Sequence, residues 1–267
     1  MDPADPIRRS AEVLRRSARA VALTGAGLST ESGIPDFRSP GGVWESFRPV
    51  LYDEFCASHT ARKEHWRYKQ ATVPAMLAAE PNPAHRALVD LERAGRLQAV
   101  ITQNIDGLHQ RAGSKRVLEL HGTNHEAVCL SCERRVPIRD ALAQLEAGNE
   151  VPACTTCGGW LKPATVSFGQ SLPPDVLQEA AELAEQSDCF LALGSSLLVN
   201  PAASLAGIAK RSGAALIIVT LGETPYDDLA DVRIDAKIGD ALPRIVASAL
   251  AAAVAGRADS IRSFGKE

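Results

Sequence analysis

Two kinds of residue group in this sequence are able to do chemistry: thiols in close pairs, and polar side chains crowded where apolar runs end. Cys129-x-x-Cys132 and Cys154-x-x-Cys157 are the pairs. Their spacing lets two tight knuckles gather four thiolates around one tetrahedral Zn²⁺. With sulfur in every coordination position, the metal is expected to be structural. The knuckles are rich in small or polar residues (Ser131, Thr155, Thr156, then Gly158-Gly159), as turns that aim backbone N–H groups at sulfur need. A redox role for a C-x-x-C is the competing reading, and two pairs at ribbon spacing disfavour it.

The polar clusters follow apolar runs. After Ala20 to Thr24 comes Gly25-Ala26-Gly27-Leu28-Ser29-Thr30, whose glycines let a backbone approach a pyrophosphate while hydroxyls and N–H groups bind its oxygens. This loop departs from G-x-G-x-x-G, and no acidic residue ends a second strand about 20 residues on, as a dehydrogenase needs. Ile34-Pro35-Asp36-Phe37-Arg38 adds a carboxylate, an aromatic face and a guanidinium, a set that suits covering a positively charged ring and holding a phosphate or ribose. Leu97 to Thr102 runs into Gln103-Asn104-Ile105-Asp106, where Asn104 suits ribose hydroxyls and Asp106 a carboxamide. Val117 to Leu120 ends at His121-Gly122, and an imidazole in that row suits taking a proton from a ribose hydroxyl. Gly194-Ser195-Ser196 and Thr220-Leu221-Gly222 end two more runs and suit the adenosine half of a dinucleotide. His59, His65, His85, His109 and His125 read as solvated or satisfied structural residues, and Cys189 as a core residue.

The elements that must position these groups are strands and helices in alternation. Ala20 to Thr24, Leu97 to Thr102, Val117 to Leu120, Cys189 to Leu193 and Leu216 to Thr220 read as strands buried on both faces, hence a parallel sheet. Asp5-Pro6 opens a helix to about Arg19; Asn82-Pro83 opens one that Gly95 closes, and Asn200-Pro201 one that Gly213 closes. The expected fold class is α/β, doubly wound, with ligand sites at the carboxyl ends of the strands. A mostly helical insertion (44–80) and the cysteine-bearing stretch (126–161) break the rhythm and are expected to form a smaller zinc-ribbon domain. Residues 1–43, 81–125 and 162–267 form the larger one.

The 267 residues carry 45% hydrophobic and 23% charged side chains, as a folded globular chain does, and a net charge of -3. That charge shows no basic excess for nucleic acid or anionic lipid, so neither a nucleic acid nor a membrane is the expected partner. The N-terminal stretch lacks the apolar core of a signal peptide and no later run is long enough to span a bilayer, so a cytoplasmic location is expected.

In order and combination these motifs resemble the sirtuins, NAD-dependent protein deacylases: Gly25-Ala26-Gly27-x-Ser29, Gly33 to Arg38, Thr102 to His109, His121-Gly122, both cysteine pairs and Gly194-Ser195-Ser196. The resemblance implies a Rossmann-like NAD-binding domain, a small domain with one structural Zn²⁺, and a cleft that admits NAD and an acyl-lysine peptide from opposite sides. In that family the acyl oxygen attacks the nicotinamide ribose at C1′ and nicotinamide leaves. The histidine matching His121 then deprotonates a ribose hydroxyl, giving free lysine and O-acyl-ADP-ribose. By the same resemblance, Asn104 positions ribose and water, Ile105 and Asp106 hold the nicotinamide amide, and Phe37 shields C1′. Gly25, Ala26, Gly27, Ser29, Thr30, Arg38, Gln103, Gly194, Ser195, Ser196, Thr220, Leu221 and Ile238 bind the rest of NAD. Val166, Ser167, Phe168 and Gly169 pair with the substrate backbone as an added strand.

The chain departs from the family pattern at Ser167, where an aromatic is common, at Gln170, where an acid is common, and at Thr220, where an asparagine is usual. Trp66 and Lys69 stand where members that prefer acidic acyl groups carry a tyrosine and an arginine. A solvated lysine is the expected state of Lys69. Two rival functions remain at this level: a transferase placing ADP-ribose on a protein from the same NAD site, and a zinc ribbon contacting nucleic acid through Arg134, Arg135 and Arg139.

Overall fold

The computed structural model describes residues 5–37 and 42–263. Nine strands fall into two sheets: β1 (Ala20–Thr24), β2 (Leu97–Thr102), β3 (Val117–Glu119), β4 (Gly122–Cys129), β5 (Arg135–Pro137), β6 (Leu161–Thr165), β7 (Cys189–Leu193), β8 (Ala215–Val219) and β9 (Val232–Ile234), as counted among the described residues. The larger sheet has the order β3-β2-β1-β7-β8-β9 with every neighbour parallel. From β1 the chain proceeds to one side and β7 later takes the other, so the crevice of a doubly wound sheet opens between the β1 and β7 ends. The register places the ends level, with Thr24 beside both Thr102 and Leu193, Thr102 beside Glu119, and Leu193 beside Val219.

β1 and β7 are buried along their whole length. Ala20 and Ala22 face a core shared with Leu14, Leu88, Leu91 and Ile245, whereas Val21 and Leu23 face one shared with Leu183, Leu205 and Ala206. Helices therefore cover both faces, as expected of uninterrupted apolar strands. β3 departs from that expectation: it lies at the sheet edge, and Val117 and Glu119 are only half-buried.

Two helix boundaries differ from the punctuation. Asp5 caps the first helix, accepting the Ile7 N–H at 3.0 Å, but the helix is Pro6–Arg16 and stops short of Arg19. Past Ser17 the backbone N–H groups of Ala18 and Arg19 turn instead to the Asp188 carboxylate. The helix expected at Asn200-Pro201 begins instead at Ser204, whose hydroxyl donates to Asn200 Oδ1 at 2.6 Å.

The smaller sheet is antiparallel, in the order β5-β4-β6. Its core joins Ala127, Ile138, Leu142 and Leu161 to Phe55, Trp66 and Val73 of the helical insertion, in which His59–Ala78 is the longest helix. The strands overrun the expected limits at 125 and 162, since β4 starts at Gly122 and β6 ends at Thr165. No helix among the described residues is long and apolar enough to cross a membrane.

Candidate active site

One cavity of about 810 Å³ opens at the level strand ends, between the large sheet and the helical insertion. Gly25, Ala26, Gly27 and Thr30 follow β1 into it, Gln103, Asn104 and Ile105 follow β2, His121 follows β3, Gly194, Ser195 and Ser196 follow β7, and Thr220 and Leu221 follow β8; Phe37 and Ile238 also line it. Val166, Ser167, Phe168 and Gly169 form the opposing rim. Two glycines make the close approach of the β1 and β7 loops possible. The Gly25 N–H donates to Leu193 O and the Gly27 N–H to Gly194 O, both at 2.9 Å, and a Cβ on Gly25 would lie 2.7 Å from Gly194 O. Gly194 has φ +62, and a Cβ there would meet Leu28 N at 2.4 Å.

His121 is half-buried, and its Nδ1 lies 3.0 Å from Gln103 O. A carbonyl only accepts, so Nδ1 carries the proton and the neutral ring keeps a bare Nε2 lone pair, the form a general base needs. Burial lowers its pKa below the usual histidine value, and the Gln103 bond partly offsets this. The Val166 N–H donates to His121 O at 2.8 Å, tying the opposing rim to the base.

Two of the expected binding residues, Ser29 and Asp106, do not reach the cavity wall. Asp106 is buried, accepting the Ser29 hydroxyl at 2.7 Å and the Leu108 N–H at 2.9 Å, and burial raises its pKa against those bonds. Ser29 in turn accepts from Asn104 Nδ2 at 3.0 Å, so the pair stands behind Asn104 and orients it. Gln103 Nε2 donates to Ser195 Oγ at 2.8 Å. Thr220 lines the cavity with its hydroxyl making only a long 3.5 Å contact to Leu221 O. Arg38 lies outside the described residues.

Lys69 corrects its expected solvated state: it is 3% exposed, lines the cavity, and donates to Asn124 Oδ1 at 2.8 Å. Trp66 is fully buried in the small core, donates to Leu161 O at 3.1 Å and does not line the cavity. Tyr68, which the sequence analysis does not single out, and His65, expected to be solvated or satisfied and structural, also face the cavity. Their spacing with Lys69 held the signal, since positions i, i+3 and i+4 share one helix face. Nor are all the remaining histidines satisfied: His65 Nε2, His85 Nε2 and His109 Nδ1 are buried without a partner.

Burial, then the nearby Lys162, lowers the Lys69 pKa from 10.5 to about 7. The unfolded chain binds more protons between those values, so wild type should gain stability relative to Lys69→Met as pH rises from about 7 towards 10.5. Urea midpoints for both proteins at about pH 7 and about pH 9.5 check this, and parallel changes would refute it.

The four paired cysteines meet at the end of β4, with all four sulfurs within 4.8 Å of one another. Cys129 and Cys157 Sγ are 3.5 Å apart, and Cys132 and Cys154 Sγ 3.8 Å. Ligands 2.3 Å from a tetrahedral zinc lie about 3.8 Å apart, so the set fits that ion. The Ser131 N–H points at Cys129 Sγ (3.4 Å), and a Cβ on Gly159 would fall 2.9 Å from the same sulfur. None of the four lines the cavity.

Comparison with known proteins agrees with this arrangement. The Sir2 family profile matches residues 25–201. The NAD-dependent protein deacetylase 2 of Streptomyces coelicolor is 49% identical over 230 residues, covering 84% of this chain and 95% of that protein. The NAD-dependent protein deacetylase of Thermodesulfovibrio yellowstonii is 45% identical over 228 residues, covering 85% and 89%. A solved Sir2 complex with p53 peptide and NAD+ superposes with a TM-score of 0.82 at 44% identity, covering 88% of this chain and 94% of that one. With its strand order, four-thiol cluster and cavity-lining motifs in place, the chain belongs to the Sir2 family.

Proposed function

We propose that this chain removes acyl groups from protein lysine side chains at the expense of NAD, releasing nicotinamide and O-acyl-ADP-ribose, with acetyl as the first acyl group to test. The observation that carries this reading is the convergence of His121, Asn104, the Gly25–Gly27 loop and the Val166–Gly169 rim on one cavity. Bound NAD supplies an electrophilic ribose carbon from which nicotinamide departs. His121 takes a ribose hydroxyl proton at Nε2, and the Gln103 carbonyl, holding Nδ1–H, steadies the imidazolium that results. Asn104, oriented by Ser29 and Gly25 O, positions the ribose. Phe37 covers the reacting face, and Ile105 with the buried Asp106 shapes the seat of the nicotinamide amide. The remaining cavity-wall residues of the β1, β2, β7 and β8 ends, with Ile238, hold the pyrophosphate and adenosine.

The zinc holds the small sheet and takes no part in the reaction. Residues 1–43, 81–121 and 166–267 act as the NAD-binding part, with 44–80 and 122–165 as the small part, in a reducing compartment such as the cytoplasm. Mass spectrometry after incubation with NAD and an acetyl-lysine peptide should find free lysine, nicotinamide and O-acetyl-ADP-ribose in equal amounts. ADP-ribose attached to protein, with the peptide still acetylated, would overturn the reading in favour of a transferase.

A further inference from the structure

Behind the strand ends, three buried side chains that the reaction above does not use, His109, Thr24 and Thr102, join a chain of polar groups that reaches Asn104. His109, on the helix Leu108–Ala112, is 1% exposed, and its Nε2 lies 2.9 Å from Thr24 Oγ1. The Thr24 and Thr102 hydroxyls are hydrogen-bonded to each other at 2.8 Å, and Thr102 Oγ1 accepts the backbone N–H of Asn104 at 3.0 Å. From the Asn104 side chain the chain continues through Ser29 and Asp106 to the N–H of Leu108, the neighbour of His109. The hydrogen bonds thus close into a ring around the loop that carries Asn104.

Thr24 Oγ1 bridges His109 Nε2 and Thr102 Oγ1, so the ring and the two hydroxyls are linked whichever nitrogen of His109 holds the proton. His85 Nδ1 accepts the Asn82 N–H at 3.4 Å, so the His85 proton is on Nε2. The His85 and His109 rings lie 5.0 Å apart, and His85 Nε2 and His109 Nδ1 are buried without a hydrogen-bond partner. Burial lowers their pKa values to about 4 and about 3, keeping both rings neutral.

Paired parallel strands need no hydroxyls here: valine fits either threonine position of a buried strand, and the hydroxyls are tolerated because each is hydrogen-bonded within the chain of polar groups. We propose that His109 is a positioning residue for the reaction, holding the Asn104 loop through Thr24 and Thr102. The inference rests on the reading of Asn104 as the residue that positions the ribose.

Its test measures kcat and KM with an acetyl-lysine peptide and NAD, thermal melting, and hydrogen exchange of the Asn104 amide in the full chain. Thr24→Val and His109→Phe should each lower kcat by roughly 10- to 100-fold with KM moving less than about threefold, since small misplacements near a reacting centre act on turnover. The double variant should be within about twofold of the worse single one, because both substitutions break one linkage. His109→Gln, whose amide can offer an N–H or a C=O near the place of Nε2 and so bond the Thr24 hydroxyl in either direction, should recover most of the loss. Asn104 exchange should quicken in Thr24→Val and His109→Phe. Unchanged kcat in a folded single variant, additive losses, or a glutamine no better than phenylalanine would overturn the proposal. Should His109→Phe not fold, Thr24→Val decides alone, with unchanged kcat and unchanged Asn104 exchange counting against the linkage. A wild-type enzyme silent on every acyl peptide would instead sink the functional reading, and Asn104 exchange in the variants would still judge the linkage.

Discussion

Replacing His121 by alanine should cut acyl-lysine turnover by about 10²- to 10⁴-fold, the range a positioned general base contributes. The ring is half-buried and its hydrogen bond runs to a loop carbonyl, so the variant should fold. Far-UV circular dichroism and NAD binding would establish that, and turnover within a few-fold of wild type would remove His121 from the mechanism. The pH profile gives a second readout. The base must be neutral, and burial lowers its pKa, so the acid limb of kcat/KM should fall below the ordinary histidine value of 6.5. The limb must be separated from unfolding, because His65, His85 and His109 also have lowered folded-state pKa values. The unfolded chain takes protons on these groups first, so stability should decline as pH drops from about 6.5 towards 4.

Removing zinc, or replacing Cys129 by serine, should unfold the small sheet. Thiolate sites bind zinc with an apparent free energy of about 10–16 kcal/mol, comparable to the roughly 5–15 kcal/mol that holds a whole domain. The thiols tie the metal to the small core: Cys129 and Cys154 are buried in it, and Val151 and Leu161 are among the apolar residues beside them. Metal analysis should find one zinc per chain, and a chelator should speed hydrogen exchange across 126–161 before it does so in the large sheet. A metal-free protein with unchanged melting and unchanged exchange would show the cluster to be dispensable. Activity should fail with the small sheet, since Lys69 and the Val166–Gly169 rim lean on it through Asn124 and β6.

Much of this architecture was readable before any coordinates. Fully buried strands such as β1 and β7 announce themselves as uninterrupted apolar runs, and Asn82-Pro83 capped its helix as expected. β4 escaped notice because its burial follows no two-residue alternation, bulging between Gly122 and Ala127. β9 has only three residues, one of them Arg233. The state of Lys69 was misread because a lysine on a helix is usually solvated, and nothing local reveals that β4 and β6 close over it.

His121 shows where the division falls. Sequence alone determined that a histidine stands at a strand end, in line with the Gly25 loop and Asn104, and that four cysteines come in zinc-binding pairs. Those are matters of local order and spacing, which the chain carries wherever it folds. Only the tertiary structure decided which nitrogen of His121 is bare, which carboxylate stands behind Asn104, and which polar groups lose their water. Desolvation and hydrogen bonding depend on partners distant in sequence, Gln103 for His121 and Thr24 for His109, and folding alone brings those partners within reach.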